Sequence, residues 1–444
     1  MRKYRYGSSY SSKSNQWLRN TLIMLFIGIP LLLISLELGL KNFAPASWLG
    51  NQSSNTTQTY ELKLVGTDGK PLTNLPFNPP NGDLEVKTSA VSGYDLVPNQ
   101  NYKFWQINAQ GFRVNQPLPI NKDQNQVRIF IIGNSTAFGT LAANNQATIA
   151  AKLEQLLSKR LQDQIDQPKK FQPPVFPYYA DQVEKVQLLP PRIRIANYQV
   201  ITAAVPGYTF TNQLSLWAHK ISEFKPDCLI FLNGYEDLRS PSSKPTRELI
   251  KLEDILQKQE QQEQSKNQQQ WENWLNSFYI VKAFRHLFTP TALPQASGYY
   301  QVFNANQLTA DPQELKLRIA NYEANLRKVA NLNAQIPIIV ALQPEITGKT
   351  TPTAAEAEII KSLGKDYSDR ISSSYQNLES NILDRKFNKI RLISLYKALN
   401  ETKEQAFIDP IHLTDVGNTL IAKKLLSVIE DTFKLEPQPA SGPS

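Results

Sequence analysis

Five short stretches of the chain are apolar almost without interruption: Val127-Arg-Ile-Phe-Ile-Ile132, Val200-Ile-Thr-Ala-Ala204, Cys228-Leu-Ile-Phe-Leu232, Ile336-Pro-Ile-Ile-Val-Ala-Leu342 and Ile390-Arg-Leu-Ile-Ser-Leu395. A strand wetted on one face alternates apolar and polar positions, whereas a β-branched run with no alternation is covered on both faces. Between these runs, residues 150–160 and 315–332 repeat apolar side chains at i, i+3 and i+4, the helical period. Covered strands alternating with helices predict an α/β fold, a five-stranded parallel sheet with helices on both faces.

The sheet-bearing domain is expected over residues 120–435, and three other segments follow different patterns. Residues 41–119 read as a polar linker (51–57) and a β-rich lead-in, because Tyr60-Glu-Leu-Lys-Leu-Val65 alternates at period two before a turn at Asp68-Gly69. Residues 163–195 are rich in Pro and Gln, with prolines paired at 173–174 and 190–191, which suits an excursion or flap better than a helix. Residues 240–300 hold a Gln-rich run and then Trp271, Trp274, Phe278, Tyr279, Phe284 and Phe288. That pattern predicts a helical insertion whose aromatic face packs on the core or serves as a lid or envelope-binding surface. There is no internal repeat, and residues 436–444 (EPQPASGPS) are expected to be a disordered tail.

Residues 21–36 carry no charge, and with residues 37–40 they reach the length of about twenty that crosses a bilayer. Arg2, Lys3, Arg5, Lys13 and Arg19 precede the run with no acid among residues 1–20. The positive-inside rule makes 1–20 a cytoplasmic tail, 21–40 a transmembrane signal anchor, and the remainder extracytoplasmic. Ala44-Pro-Ala46 offers the alternative of a cleaved signal peptide, although the run exceeds the usual ~7–15 apolar residues. Either way the body is exported, and a bacterial envelope is the simpler setting.

Composition narrows the chemistry. The formal net charge is +9, but five of those charges lie in the tail, which leaves +4 for everything after residue 20 and no nucleic-acid footprint. One cysteine, Cys228, excludes an internal disulfide and a cysteine-based zinc or iron–sulfur site. Three histidines, His219, His286 and His412, leave little for a histidine-rich metal centre. No metal or organic cofactor is expected.

Doubly wound sheets place ligands at the C-terminal ends of their strands. Four such loops hold Gly133-Asn-Ser135-Thr-Ala-Phe-Gly139, Val205-Pro-Gly207-Tyr, Asn233-Gly234-Tyr-Glu236-Asp237 and Asp409-Pro-Ile-His412-Leu-Thr-Asp-Val-Gly417. Singly these are ordinary turn and cap residues. Together, Ser135, His412 and Asp409 supply the hydroxyl, the proton acceptor and the carboxylate that nucleophilic acyl transfer requires. The three-residue spacing lets one turn bring Asp409 to the imidazole.

This set resembles the SGNH (GDSL-type) hydrolases over residues 105–430, with all four blocks in the family's order. The lead-in Ile107-Asn-Ala-Gln-Gly-Phe-Arg113 and the pair Gln343-Pro344 are similar to those of membrane-anchored bacterial members. The resemblance implies a flavodoxin-like fold with Ser135 as nucleophile, His412 as base and Asp409 as its orienting partner. It also implies an oxyanion hole from the N–H groups of Ser135 and Gly207 and the side chain at position 236.

At position 236 the family's Asn is replaced by Glu236, and Asn134 stands where the family often has Asp. An ionised Glu236 would repel a developing oxyanion, and a lost donor typically costs ~10²–10³ in turnover. A protonated Glu236 could donate, whereas Asn233, three residues earlier, should point elsewhere. Two functions are therefore expected. One is a serine esterase acting on acyl, most simply acetyl, groups of an envelope polysaccharide. The other is a non-catalytic glycan-binding or assembly protein that keeps the remnant cleft.

Overall fold

The computed structural model describes residues 20, 60, 62–65, 83–89, 91–243, 303–332, 336–387 and 390–440. Apart from Asn20 these belong to one compact unit, Thr56–Leu256 with Ser297–Ser444. In chain order its main elements are β1 (Leu62–Val65), β2 (Leu84–Ser89), β3 (Gly93–Leu96), β4 (Gln126–Gly133), α1 (Ser135–Phe138), α2 (Ile149–Asp166), α3 (Ala180–Gln187), β5 (Arg192–Ile193) and β6 (Asn197–Thr202). There follow α4 (Phe210–His219), β7 (Cys228–Asn233), α5 (Tyr235–Arg239), α6 (Pro312–Leu332), β8 (Ile338–Leu342), α7 (Ala354–Leu363), α8 (Lys365–Ile382), β9 (Ile390–Ser394), α9 (Asp415–Thr432) and β10 (Lys434–Leu435).

All five apolar runs become strands of one sheet in the order β6-β4-β7-β8-β9, and every pairing is parallel. Every residue of β7 and β8 is buried, as an uninterrupted apolar run requires. The helix α2 starts at Thr148, whose hydroxyl accepts the Ala151 N–H at 3.3 Å, and buries Ile149, Leu153 and Leu157 against β6 and α9. Each such side chain contributes roughly 1.5–3 kcal/mol. The first crossover leads outward to β6 and the next returns past β4 to β7. Right-handed connections then put helices on opposite faces and open a crevice between the C-terminal ends of β4 and β7.

The lead-in folds as its own sheet, β1-β2-β3, with β1 parallel and β3 antiparallel to β2. Two expectations need correction. The 163–195 excursion is not free of helix, since α2 continues to Asp166 and α3 lies within it. No residue of α3 is fully buried, although Ala180, Val183 and Val186 line one side of it at three-residue spacing. Nor is the tail disordered from residue 436: β10 pairs with β5, the Gln438 N–H donates to Pro174 O at 2.9 Å, and the Phe176 N–H donates to Gln438 O at 2.8 Å.

The expected anchor at 21–40 lies outside the described residues, among which no helix is long and apolar enough to cross a membrane. The aromatic insertion lies outside them too, from residue 244 to residue 302.

Candidate active site

The turn after β4 is built for close approach. A Cβ on Gly133 would sit 2.4 Å from Leu232 O, and Gly139 takes φ +83° to end the single-turn helix α1. Asn134 caps α1 by accepting the Thr136 N–H at 3.1 Å and donates from Nδ2 to Gln343 Oε1 at 2.6 Å. Gln343 Nε2 donates to Thr136 Oγ1 at 2.8 Å, and Thr136 Oγ1 donates to Ile411 O at 3.1 Å. This chain accounts for Asn at position 134. An aspartate has no donor for Gln343, and a reversed amide would take the proton that Thr136 gives to Ile411.

Arg113, quoted in the lead-in motif without a role, lies fully inside the protein beside this turn. Its Nη1 donates to Phe138 O at 3.0 Å and Gly139 O at 2.8 Å, Nε to Asn145 Oδ1 at 2.9 Å, and Nη2 to Phe104 O at 2.7 Å. The guanidinium also lies 4.7 Å from the Phe138 ring centroid. A cation bonded to the last carbonyls of a helix is electrostatically favoured there, and this one clamps the far end of the turn that carries Ser135.

Asp409 and His412 meet as their spacing predicts. Asp409 Oδ2 lies 2.6 Å from His412 Nδ1, while Oδ1 accepts the N–H groups of Ile411 at 3.1 Å and His412 at 2.8 Å. A carboxylate held by two amides accepts a hydrogen bond from Nδ1–H, which fixes the ring's orientation and its tautomer. Both residues are buried, and the Phe303 ring covers the imidazole at 6.2 Å and a 68° tilt. The Thr136–Ile411 hydrogen bond joins the residue after Ser135 to the residue before His412, so the two loops share one anchor.

A second buried support was invisible in the sequence. Lys349 Nζ pairs with Glu356 Oε2 at 2.6 Å and donates to Glu404 O at 2.8 Å, both side chains fully inside. Glu356 Oε1 accepts the N–H groups of Ala406 and Phe407 at 2.8 and 3.1 Å, which fixes the strand-like approach to Asp409. Burial by itself raises the Glu356 pKa, but the Lys349 bond and the backbone amides outweigh it and hold the carboxyl below its usual range. The glycine of the same block, Gly417, is needed for contact: its Cβ would come 2.3 Å from Ala406 O.

The side expected to hold the oxyanion is different. The N–H groups of Ser135 and Gly207 have no backbone acceptor among the described residues outside the regular elements. Glu236 is buried, and its Oε2 accepts Arg239 Nε at 2.9 Å and Nη2 at 2.6 Å, while Arg239 Nη1 donates to Gln307 Oε1 at 2.9 Å. Burial alone would lower the Arg239 pKa; the Glu236 carboxylate more than offsets it and holds the guanidinium in its charged form. Glu236 therefore has a charge partner that the sequence reading did not count.

Asn233 points away from the site, its amide bonded to Gln213 Oε1 at 2.9 Å and to the Tyr322 hydroxyl at 2.7 Å. Asp237 accepts the Phe210 N–H at 2.9 Å and caps α4, but its Oδ2 is buried with no partner among the described residues. Burial pushes the Asp237 carboxyl up to about 7, with Glu236 adding to the rise against the amide bonds.

Among the described residues no cluster of three or more His, Cys, Asp or Glu could hold a metal ion. A cleft of about 960 Å³ runs between α6 and α8 past Lys316, Glu323 and Arg385 and includes none of the site residues.

No family model and no curated protein matches this chain. Among solved structures it is similar to a lipase/acylhydrolase from Enterococcus faecalis, at 13% identity and a TM-score of 0.34, covering 71% of this chain and 100% of that one. A lipase from a goat rumen metagenome gives 13% and 0.36, covering 70% and 100%. An acetyl xylan esterase from Geobacillus stearothermophilus gives 13% and 0.29, covering 70% and 96%. Identities and scores this low leave function to be argued from the chain's own residues.

Proposed function

We propose that this chain is a serine esterase of the SGNH type, anchored by residues 21–40 with its body on the extracytoplasmic side of a bacterial envelope. Its proposed substrates are acetyl esters of an envelope polysaccharide. The observation that carries the reading is the Asp409–His412 pair, 2.6 Å between Oδ2 and Nδ1, in a loop bonded to the Ser135 turn. Ser135 Oγ attacks the ester carbonyl as its proton passes to His412 Nε2, and Asp409 stabilises the imidazolium. The Ser135 and Gly207 N–H groups receive the oxyanion. The sugar oxygen leaves with the proton from His412, and water, deprotonated by the same nitrogen, releases acetate from Ser135. The salt bridge to Arg239 supports this assignment, since it offsets the charge that Glu236 brings near the oxyanion.

Glu236 also favours the second reading. A carboxylate in place of an amide donor is what a glycan-binding cleft relieved of catalysis could tolerate. A fluorophosphonate probe separates the two. The esterase reading expects covalent labelling at Ser135 in the wild-type protein and none in Ser135→Ala. An unlabelled, folded wild type that still binds acetylated polysaccharide establishes the binding protein.

A further inference from the structure

The β-rich lead-in reaches the turn that carries Gly207. Val205, Pro206, Gly207 and Tyr208 form a tight turn in which the Tyr208 N–H donates to Val205 O at 3.2 Å and Gly207 takes φ +83°. Pro at the second position and a positive φ at the third define a type II turn. Types I and II differ by a flip of the central peptide, here Pro206–Gly207, and glycine tolerates both. A trans peptide holds C=O and N–H on opposite edges of one plane, so whatever fixes Pro206 O also fixes where the Gly207 N–H points.

The Tyr94 hydroxyl, from β3, donates to Pro206 O at 2.7 Å. A Cβ on Gly207 would meet that same hydroxyl at 2.6 Å, so glycine is required by contact as well as by backbone angle. The contact is braced from both sides. The Tyr208 hydroxyl donates to Tyr94 O and to Asp95 Oδ1, the two rings meet edge to face at 5.3 Å, and Asn212 Nδ2 donates to Ser92 O at 2.9 Å.

We propose that Tyr94 is a positioning residue for catalysis: its hydroxyl holds the Pro206–Gly207 peptide in the orientation that presents the Gly207 N–H to the oxyanion. The inference rests on the esterase reading and gives the lead-in sheet a part in the chemistry.

The test is Tyr94→Phe, with Tyr208→Phe as the control that loosens the same two segments without touching Pro206 O. On p-nitrophenyl acetate, Tyr94→Phe should lower kcat about tenfold, the worth of one hydrogen bond, with KM within about twofold. Inhibition by a boronic acid, whose Ser135 adduct places an oxygen at the oxyanion position, should weaken in the same proportion. Tyr208→Phe should lose thermal stability with a smaller change in kcat. Equal kcat losses in both variants, or a Tyr94→Phe loss confined to KM, overturn the proposal. A crystal structure of Tyr94→Phe gives a readout independent of turnover: a flipped Pro206–Gly207 peptide supports the role and an unchanged type II turn refutes it. A wild type inert to ester and boronic acid fails the esterase reading instead, and the crystal structure still decides whether Tyr94 sets the turn.

Discussion

The two halves of the candidate site are held by different means. On the proton-transfer side, Asn134, Gln343 and Thr136 relay neutral hydrogen bonds to Ile411, and Asp409 spends both oxygens on His412 and its neighbours. On the oxyanion side, position 236 carries an ion pair in place of an amide, and the next residue, Asp237, keeps a buried oxygen with no partner among the described residues. The first side also rests on an ion pair, Lys349–Glu356, but that pair lies behind the loop and fixes its geometry, whereas the pair at position 236 belongs to the site and fixes a potential that depends on both partners staying in place. Position 236 can carry a charge because a neighbour, Arg239, balances it.

The largest expected effect lies on the proton-transfer side. Asp409→Asn keeps the shape but favours the wrong imidazole tautomer, so steady-state hydrolysis of a small acetyl ester should fall by ~10⁴. A loss below tenfold would mean that Asp409 does not orient a catalytic base.

Next comes the support beneath it. Lys349→Met strands the buried Glu356 carboxylate and should cost about 3–5 kcal/mol in denaturant unfolding, while the double variant with Glu356→Gln, which is neutral and keeps an oxygen for the Ala406 and Phe407 N–H groups, should recover much of that. A single variant as stable as wild type would show that the pair is not buried in solution.

The oxyanion side should answer to the sign of the substitution. Arg239→Met leaves Glu236 unbalanced and should reduce kcat by ~10², about 2.7 kcal/mol. Glu236→Asn removes the charge, restores a donor and should raise kcat by up to a similar factor. Changes in the same direction for both would break the contrast drawn between the halves.

A smaller effect concerns pH. Glu345, fully buried after β8, accepts bonds from the Thr347 N–H at 2.9 Å and the Tyr367 hydroxyl at 3.2 Å, yet burial dominates and pushes its carboxyl up to about 7. The folded state then binds the proton more tightly than the unfolded chain, so Glu345 costs stability as pH rises from about 4.5 to about 7. Glu356, held low, acts with the opposite sign and loses its contribution as pH falls below the usual carboxylate range. Glu345→Gln should flatten the decline between pH 4.5 and 7 by at most a few kcal/mol. An unaltered pH profile of the melting temperature would remove Glu345 as its source.

Much of this architecture could be read from the chain, for physical reasons. Strands covered on both faces leave no alternation, so β4, β7 and β8 stood out as apolar runs, and a carboxylate three residues before a histidine can reach it within one turn. Charges that act singly leave no such mark. Nothing around Arg113 or Lys349 signals burial, because their partners are backbone carbonyls or residues brought near only by the fold. Arg239 was within reach of sequence reasoning, since opposite charges at i and i+3 on a helical turn face each other, here at 2.6 Å. The helix α3 was within reach too, through Ala180, Val183 and Val186 at three-residue spacing, but the proline pairs on either side of it point to a loop.

The bond from Thr136 to Ile411 spans 275 positions of sequence. A ribosome adding ~5–20 residues per second makes Ser135 roughly 15–55 s before His412. Throughout that interval the nascent chain carries a serine with no base beside it. A chain cut short anywhere before residue 409 lacks the histidine and its carboxylate altogether, so incomplete synthesis yields a protein without the chemistry proposed for Ser135.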